Sequence, residues 1–304
     1  MSTVNDSGSA LRDVIRGKSA AELSKIDWSR FPPRDRLITL PQGRIDDGGP
    51  GWIGGYRTLG WELVRWASKF LKQPNGPNAG KWFKWVDSQI LFFLWWYAID
   101  EDGDWLFHRG ARRLSKGVGK SPSMAIFALG ELCANVRVKD FDDSGSVLGG
   151  VVGKQVAMPL VQIAATAESQ THNTMRMVRA FAPKGSRVVL EHNLDPGKTQ
   201  YYRQPEGKLE VITSSATAAE GAEATAGIAD EVHLWTPSNG GQELHDTLVD
   251  NLAKSGSRLL ESNNAWWRGK PCVAQKTFDA WLDQEEGRTR NTTRILYDAR
   301  MAPP

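Results

Sequence analysis

A lysine closing a glycine loop and two adjacent acids far downstream are the residues of this chain best suited to chemistry. The loop is Leu114-Ser115-Lys116-Gly117-Val118-Gly119-Lys120-Ser121, between an aromatic and apolar run, Asp104 to Gly110, and a helix-compatible run, Met124 to Leu129. Strand, glycine loop, then Gly-Lys-Ser opening a helix is the order of a phosphate-binding P-loop. Gly117 and Gly119 let backbone N–H groups close around phosphate oxygens, Lys120 sets an ammonium against the terminal phosphates, and Ser121 offers its hydroxyl to Mg²⁺. The match is incomplete, because Leu114 stands where the eight-residue pattern has glycine. A second hit, Gly197-Lys198-Thr199, runs into the strand-like Gln200 to Pro205, so no helix N-terminus faces a phosphate there.

The acids are Asp230 and Glu231, which end the small apolar run Ala226 to Ala229. A carboxylate at a strand end holds Mg²⁺ through water, while its neighbour orients and deprotonates an attacking water. The opposing reading is an exposed acidic turn. His233 is a possible third polar group, though a lone histidine is more often satisfied structurally. Gln89 lies within an apolar helix and needs a partner, either a neighbouring loop or an adenine edge. Ser262-Asn263-Asn264 ends a strand, where small polar residues either sense a terminal phosphate or simply make a turn.

The elements that must position these groups follow from periodicity. One short helix is expected near 19–25, an amphipathic helix from Tyr56 to Leu71, and a helix buried nearly all round from Lys81 to Ile99. Asp140 to Gly153 reads as a loop, Met158 to Thr166 as a buried strand and Ser169 to Ala180 as a helix. Tyr201-Tyr202 and Leu209 to Thr213 read as a hairpin. Glu243 to Ala253 is a helix, Arg258 to Glu261 a strand, Thr277 to Gln284 a helix, and Arg294 to Tyr297 a short strand. Alternating strands and helices imply an α/β sheet with crossover connections.

With 304 residues, 40% of them hydrophobic, the chain can bury a full core, and a net charge of +3 is too small to establish nucleic-acid binding. Two cysteines, Cys133 and Cys272, fit packing roles and exclude a disulfide framework. The polar N-terminus carries no secretory signal, and the longest apolar run, Ile90 to Ile99, has ten residues, too short to span a bilayer. A soluble cytoplasmic protein is expected.

Several stretches together resemble one family, the large terminase subunit of tailed bacteriophages, above all of phages of actinobacteria. They are Phe92 to Glu101, Arg113 to Lys120, Val161 to Ala165 with Gln170 to Met175, Thr213-Ser214-Ser215, Asp230-Glu231-Val232-His233 and Asn263-Asn264-Ala265. The resemblance covers roughly residues 82–300 in order. It implies an α/β P-loop NTPase of the RecA-like, additional-strand-glutamate type, with a predominantly parallel central sheet flanked by helices, and the activity of a DNA-packaging ATPase. The Walker A lysine falls on Lys120 and the hydroxyl ligand on Ser121. The Walker B metal aspartate falls on Asp230, the catalytic glutamate on Glu231, the adenine-reading glutamine on Gln89 and the coupling motif on Ser262-Asn263-Asn264. Lys116 stands where many members have arginine, which keeps the charge and loses the planar fork.

The implied cofactors are ATP and Mg²⁺. The implied partners are double-stranded DNA bound without sequence specificity, further copies in a homo-oligomeric ring, the portal protein and the small terminase subunit, in the host cytoplasm at the procapsid and with no membrane. The expected organisation is an arm over 1–53, an ATPase core over 54–264, and a lid or linker over 265–304. No acidic strand of the family's nuclease half follows Asn264, so nuclease activity is not expected of this stretch. Glu220-Gly221 replaces the Arg-Gly that some relatives carry upstream of the acids, which leaves the trans-acting arginine open among Arg176, Arg203, Arg258 and Arg268. The alternatives are a helicase of the Asp-Glu-x-His type and a nucleotide-binding docking module without turnover.

Overall fold

The computed structural model describes residues 39–166, 168–213, 223–267, 269–289 and 294–299. The helix expected near 19–25, Ser214-Ser215 and Arg268 lie outside them. In chain order the first elements are β1 (Arg57–Thr58), α1 (Gly60–Phe70), α2 (Asp87–Trp96), β2 (Ala98–Ile99), β3 (Arg109–Arg113), α3 (Lys120–Cys133), β4 (Arg137–Phe141) and β5 (Val151–Lys154). There follow β6 (Leu160–Ala165), α4 (Glu168–Phe181), α5 (Arg187–Glu191), β7 (Leu194–Pro196), β8 (Gln200–Arg203) and β9 (Gly207–Thr213). The last are β10 (Ala226–Ala229), α6 (Gly241–Ser255), β11 (Arg258–Asn263), α7 (Val273–Glu285) and β12 (Ile295–Ala299).

Eight strands make one sheet in the order β12-β3-β11-β10-β6-β9-β8-β7. Every pairing from β12 to β9 is parallel, and only β9-β8 and β8-β7 are antiparallel. Parallel strands covered on both faces can be apolar throughout rather than alternating. That is why Ala226-Gly227-Ile228-Ala229, short of large side chains, is nonetheless a wholly buried central strand. Between the strand before the glycine loop, β3, and the strand before the acids, β10, lies one more, β11. A strand inserted at this place is what the resemblance to additional-strand P-loop NTPases implies. It brings three chain segments to the same sheet edge.

Helix α3 packs against that sheet and is buried from Ser123 to Cys133. Gly130 lets α1 close over it, since a Cβ there would meet Leu63 Cδ1 at 2.2 Å. Helix α2 fills the space beside α1 with Phe92, Phe93, Leu94, Trp95 and Trp96, all buried.

Three expectations are corrected. The strand before the loop is Arg109–Arg113 rather than the aromatic run ending at Gly110. The helix expected over Lys81 to Ile99 is only Asp87–Trp96. Residues 81–86 are extended, alternating buried Phe83 with exposed Trp82, Lys84 and Val86. The stretch expected to be loop from Asp140 to Gly153 is loop over 142–150 only, its two ends pairing as the antiparallel strands β4 and β5. In the last part of the chain β12 pairs with β3 inside the main sheet, and the Thr39 hydroxyl donates to the Tyr297 carbonyl.

Candidate nucleotide-binding site

The parallel strands β3, β6, β10 and β11 end at one edge of the sheet, the carboxyl edge at which ligands of such folds bind. Ala229 pairs with Glu261, so the next step sets Asp230 beside Ser262; Asn263 pairs with Arg113, the last residue before the glycine loop. The Leu114 amide then donates to the Asn263 carbonyl at 3.3 Å. Gly117 and Gly119 both take positive φ, +87° and +85°, backbone that glycine adopts without strain.

Lys120 opens α3, and its ammonium reaches across the edge. It donates to the carbonyls of Leu114 at 2.6 Å and Ser115 at 2.9 Å and to Asn264 Oδ1 at 2.7 Å. An ammonium has three donors, so all are spent. Burial holds its pKa below the ordinary lysine value, opposed by the charges of Glu231 and Asp230. Asn264 in turn meets His233, whose Nδ1 lies 3.3 Å from the Asn264 amide nitrogen and whose Nε2 lies 3.4 Å from Asn264 Nδ2. A neutral imidazole accepts at one nitrogen only, so one of these contacts is a hydrogen bond at a time. Burial, helped by Lys120, pushes His233 down to about 4 and keeps the ring neutral at pH 7.

Asp230 is buried. Thr174 of α4 donates to one carboxylate oxygen at 2.6 Å and Ser262 to the other at 2.8 Å, while Trp235 Nε1 holds the Asp230 carbonyl at 2.9 Å. Burial nevertheless raises its pKa above the usual aspartate value. Glu231 sits at φ +56° as the chain turns into a short 3-10 helix, Val232–Leu234, and is half-buried. Left-handed backbone at a non-glycine residue is costly and gathers at functional sites. Burial and the neighbouring Asp230 raise the Glu231 carboxyl, against Lys120 and Lys116.

Among the described residues no group of three or more His, Cys, Asp or Glu could hold a metal unaided. Mg²⁺ takes one or two protein oxygens and completes its shell with water and phosphate. The fitting donors are Asp230 and Ser121, whose hydroxyl at the first turn of α3 has no protein partner among the described residues.

Gln89 is buried in the first turn of α2. Its Oε1 accepts from the Val86 amide at 3.2 Å and its Nε2 donates to Ser123 Oγ at 3.2 Å, and a Cβ on Gly119 would stand 3.1 Å from that nitrogen. Its amide therefore braces the back of the glycine loop. Ser262 and Asn264 reach the acid and the lysine, whereas Asn263 is buried with neither side-chain amide atom bonded among the described residues. Two of the four arginines considered as trans-acting are internal. Arg203 donates to the Leu132, Val156 and Ala157 carbonyls, and Arg258 stacks on Trp96 and Trp105 at 3.9 and 4.1 Å. Arg176 is exposed. Sequence reasoning missed the bond of Thr174 to Asp230 and the buried group around Glu261, where Arg109, His245 and Thr277 converge.

The crystal structure of the HK97 bacteriophage large terminase superposes with a TM-score of 0.59 at 14% identity, over 81% of this chain and 44% of that one. The chain has the fold of a phage large terminase. A looser match to the Thermus phage P74-26 large terminase ATPase domain, with 11% identity and a TM-score of 0.40, adds nothing to that terminase likeness. In sequence the chain is 31% identical over 270 residues to the Gene 13 protein of Mycobacterium phage D29, covering 81% of this chain and 44% of the relative. It is also 31% identical over 276 residues to the Gene 13 protein of Mycobacterium phage L5, covering 83% and 45%. The chain thus spans less than half the length of these relatives. No protein-family model matches it.

Proposed function

We propose that the chain is the motor part of a large terminase, an ATPase that drives double-stranded DNA into a procapsid. The observation that carries the reading is the inserted strand β11, whose end touches both halves of the site, Asp230 through Ser262 and Lys120 through Asn264. A strand so placed registers what happens at the phosphates.

In this reading the amides of Gly117 and Gly119 close on the phosphate chain, with Lys116 adding charge at the loop and Gln89 holding the loop against α2. Lys120 exchanges at least one of its three protein acceptors for phosphate oxygen. Glu231 orients a water and takes its proton. The water oxygen attacks the terminal phosphorus, and the bond to the bridging oxygen breaks with its electron pair leaving on ADP. Ser121 and Asp230 would hold Mg²⁺, which supplies charge neutralisation at the phosphate oxygens. Losing the terminal phosphate returns Lys120 to Asn264 and so moves the end of β11. The DNA, neighbouring copies in a ring, the portal protein, the small subunit and the host cytoplasm belong to the same proposal, as does a core over 54–264 preceded by an arm and followed by a lid-like 265–304.

Nucleotide binding tests it. Lys120→Ala should lose Mg²⁺-ATP binding, measured with a fluorescent analogue, while Glu231→Gln should bind as the wild type does. Unchanged binding in Lys120→Ala would overturn the site assignment.

A further inference from the structure

The net charge of +3 hides two basic stretches, one bounded by Glu62 and Asp87 and the other by Glu191. Residues 63–86 carry five lysines and arginines and no acid, and residues 173–190 carry four and no acid. Nine of the chain's 38 cations thus fall in two stretches that hold none of its 35 acids. The fold puts these stretches together. Phe83 packs edge-on against Phe181 at 5.6 Å, and Arg187 lies 5.3 Å over the Phe70 ring. Glu191, at the rim, pairs with Lys69 and Arg187. No carboxylate among the described residues pairs with Lys72, Lys81, Lys84, Arg176 or Lys184.

The local geometry turns these charges outward. Residues 81–86 are extended, so alternate side chains face opposite ways. Phe83 is buried and Trp85 bonds back to Ser68 of α1 at 3.1 Å, which leaves Trp82 and Lys84 outside, with Trp82 56% exposed. Lys72, on the facing segment, bridges to Trp82 and lies 5.7 Å from its ring. An exposed indole among ammonium groups that no described carboxylate pairs with suits a deoxyribose-phosphate chain, which offers anionic oxygens to the cations and sugar C–H groups to the ring.

We propose that residues 72–86, with the adjoining end of α4 and the turn to Arg187, grip the phosphate backbone of duplex DNA. The inference rests on the motor reading for its partner and adds where the partner sits. The segment leads straight into α2, and Gln89 there touches Ser123 and the glycine loop, so DNA held on this surface bears on the nucleotide site through one helical turn.

The test is binding of a fluorescent 40-bp duplex of arbitrary sequence to the whole chain, by anisotropy, over a range of salt. The triple change Lys81→Ala, Trp82→Ala, Lys84→Ala touches only exposed or half-open positions, and ATP binding reports that the fold survives. The expected result is affinity at least tenfold weaker and a slope of log K against log salt shallower by about 2, from roughly 0.9 per lost phosphate contact. Neutralising Lys270 and Lys276, exposed near the opposite end of the sheet, should leave both unchanged. Equal losses in that control would reduce the effect to bulk charge and overturn the proposal. Undiminished binding by the triple variant would overturn the surface alone and leave the motor reading standing. A wild type that binds no duplex at low salt, with or without an ATP analogue, would overturn both.

Discussion

Glu261→Ala is expected to cost the fold about 3 kcal/mol, although no part of Glu261 faces the nucleotide site. Its Oε1 takes bonds from Arg109 at 3.0 Å, His245 at 3.0 Å and Thr277 at 3.1 Å, joining β3, α6 and α7 to β11, while Oε2 has no partner among the described residues. Breaking a buried pair from one side costs about 3–5 kcal/mol. Two facts favour the lower end: water reaches Arg109, whose side chain is 18% exposed, and the unbonded Oε2 already penalises the wild type. Glu261→Gln keeps the shape and loses only the charge assistance, about 1.5 kcal/mol. At roughly 2–4 °C per kcal/mol, the alanine variant should melt on the order of 10 °C lower and the glutamine variant about half as far. The pH dependence has a definite sign. Burial alone would raise the carboxyl, but the bond and charge of His245 with Arg109 and Thr277 hold it below the ordinary glutamate value. Its stabilisation is therefore present above the unfolded pKa of about 4.3 and lost as pH falls through the folded one. Thermal melts from pH 3 to 8 should show a steeper acid loss in wild type than in Glu261→Gln. Coincident melting of wild type and Glu261→Ala would refute this account of the network.

Other perturbations separate roles within the site. Asn264→Ala removes one of the acceptors that phosphate must displace, so it should bind ATP as tightly as wild type or up to about tenfold tighter while turning over more slowly; weaker binding with normal turnover would contradict the link. Since Glu231 must be ionised to act and its pKa is raised, the acid limb of turnover should lie above the ordinary glutamate range; Lys116→Ala, removing a charge that lowers it, should shift that limb to higher pH in a pH-rate profile. Gly119→Ala combines φ +85° with a 3.1 Å approach to Gln89, whereas Gly117→Ala meets nothing within 4 Å, so ATP affinity should fall further in the first.

The elements were legible where their signal is local. Gly-Lys-Ser followed by a helical run marked α3, and the small apolar run before the two acids marked β10, because parallel central strands need no alternation. Strand β3 was not legible. Arg-Gly-Ala-Arg-Arg has no strand signature, and what permits it lies far along the chain: Asp298 at 2.8 Å from Arg112, Glu261 at 3.0 Å from Arg109, and the Trp266 ring 4.1 Å from Arg113. Residues 81–86 hid in an aromatic run that serves helix and strand equally, and only the burial of Phe83 against Phe181 shows the two-residue period. The place of β12 in the sheet depends on its partner β3, which no reading of the last forty residues contains.

In the proposed function Glu231 is the catalytic base of an ATPase coupled to duplex DNA. The measurement is phosphate release by wild type and Glu231→Gln at equal nucleotide occupancy, with Mg²⁺-ATP, with and without double-stranded DNA, over a range of protein concentration. Turnover that DNA stimulates, that rises faster than linearly with concentration, and that falls by at least a hundredfold (roughly 3 kcal/mol) in the variant is the predicted result. Equal turnover in the two proteins would contradict it.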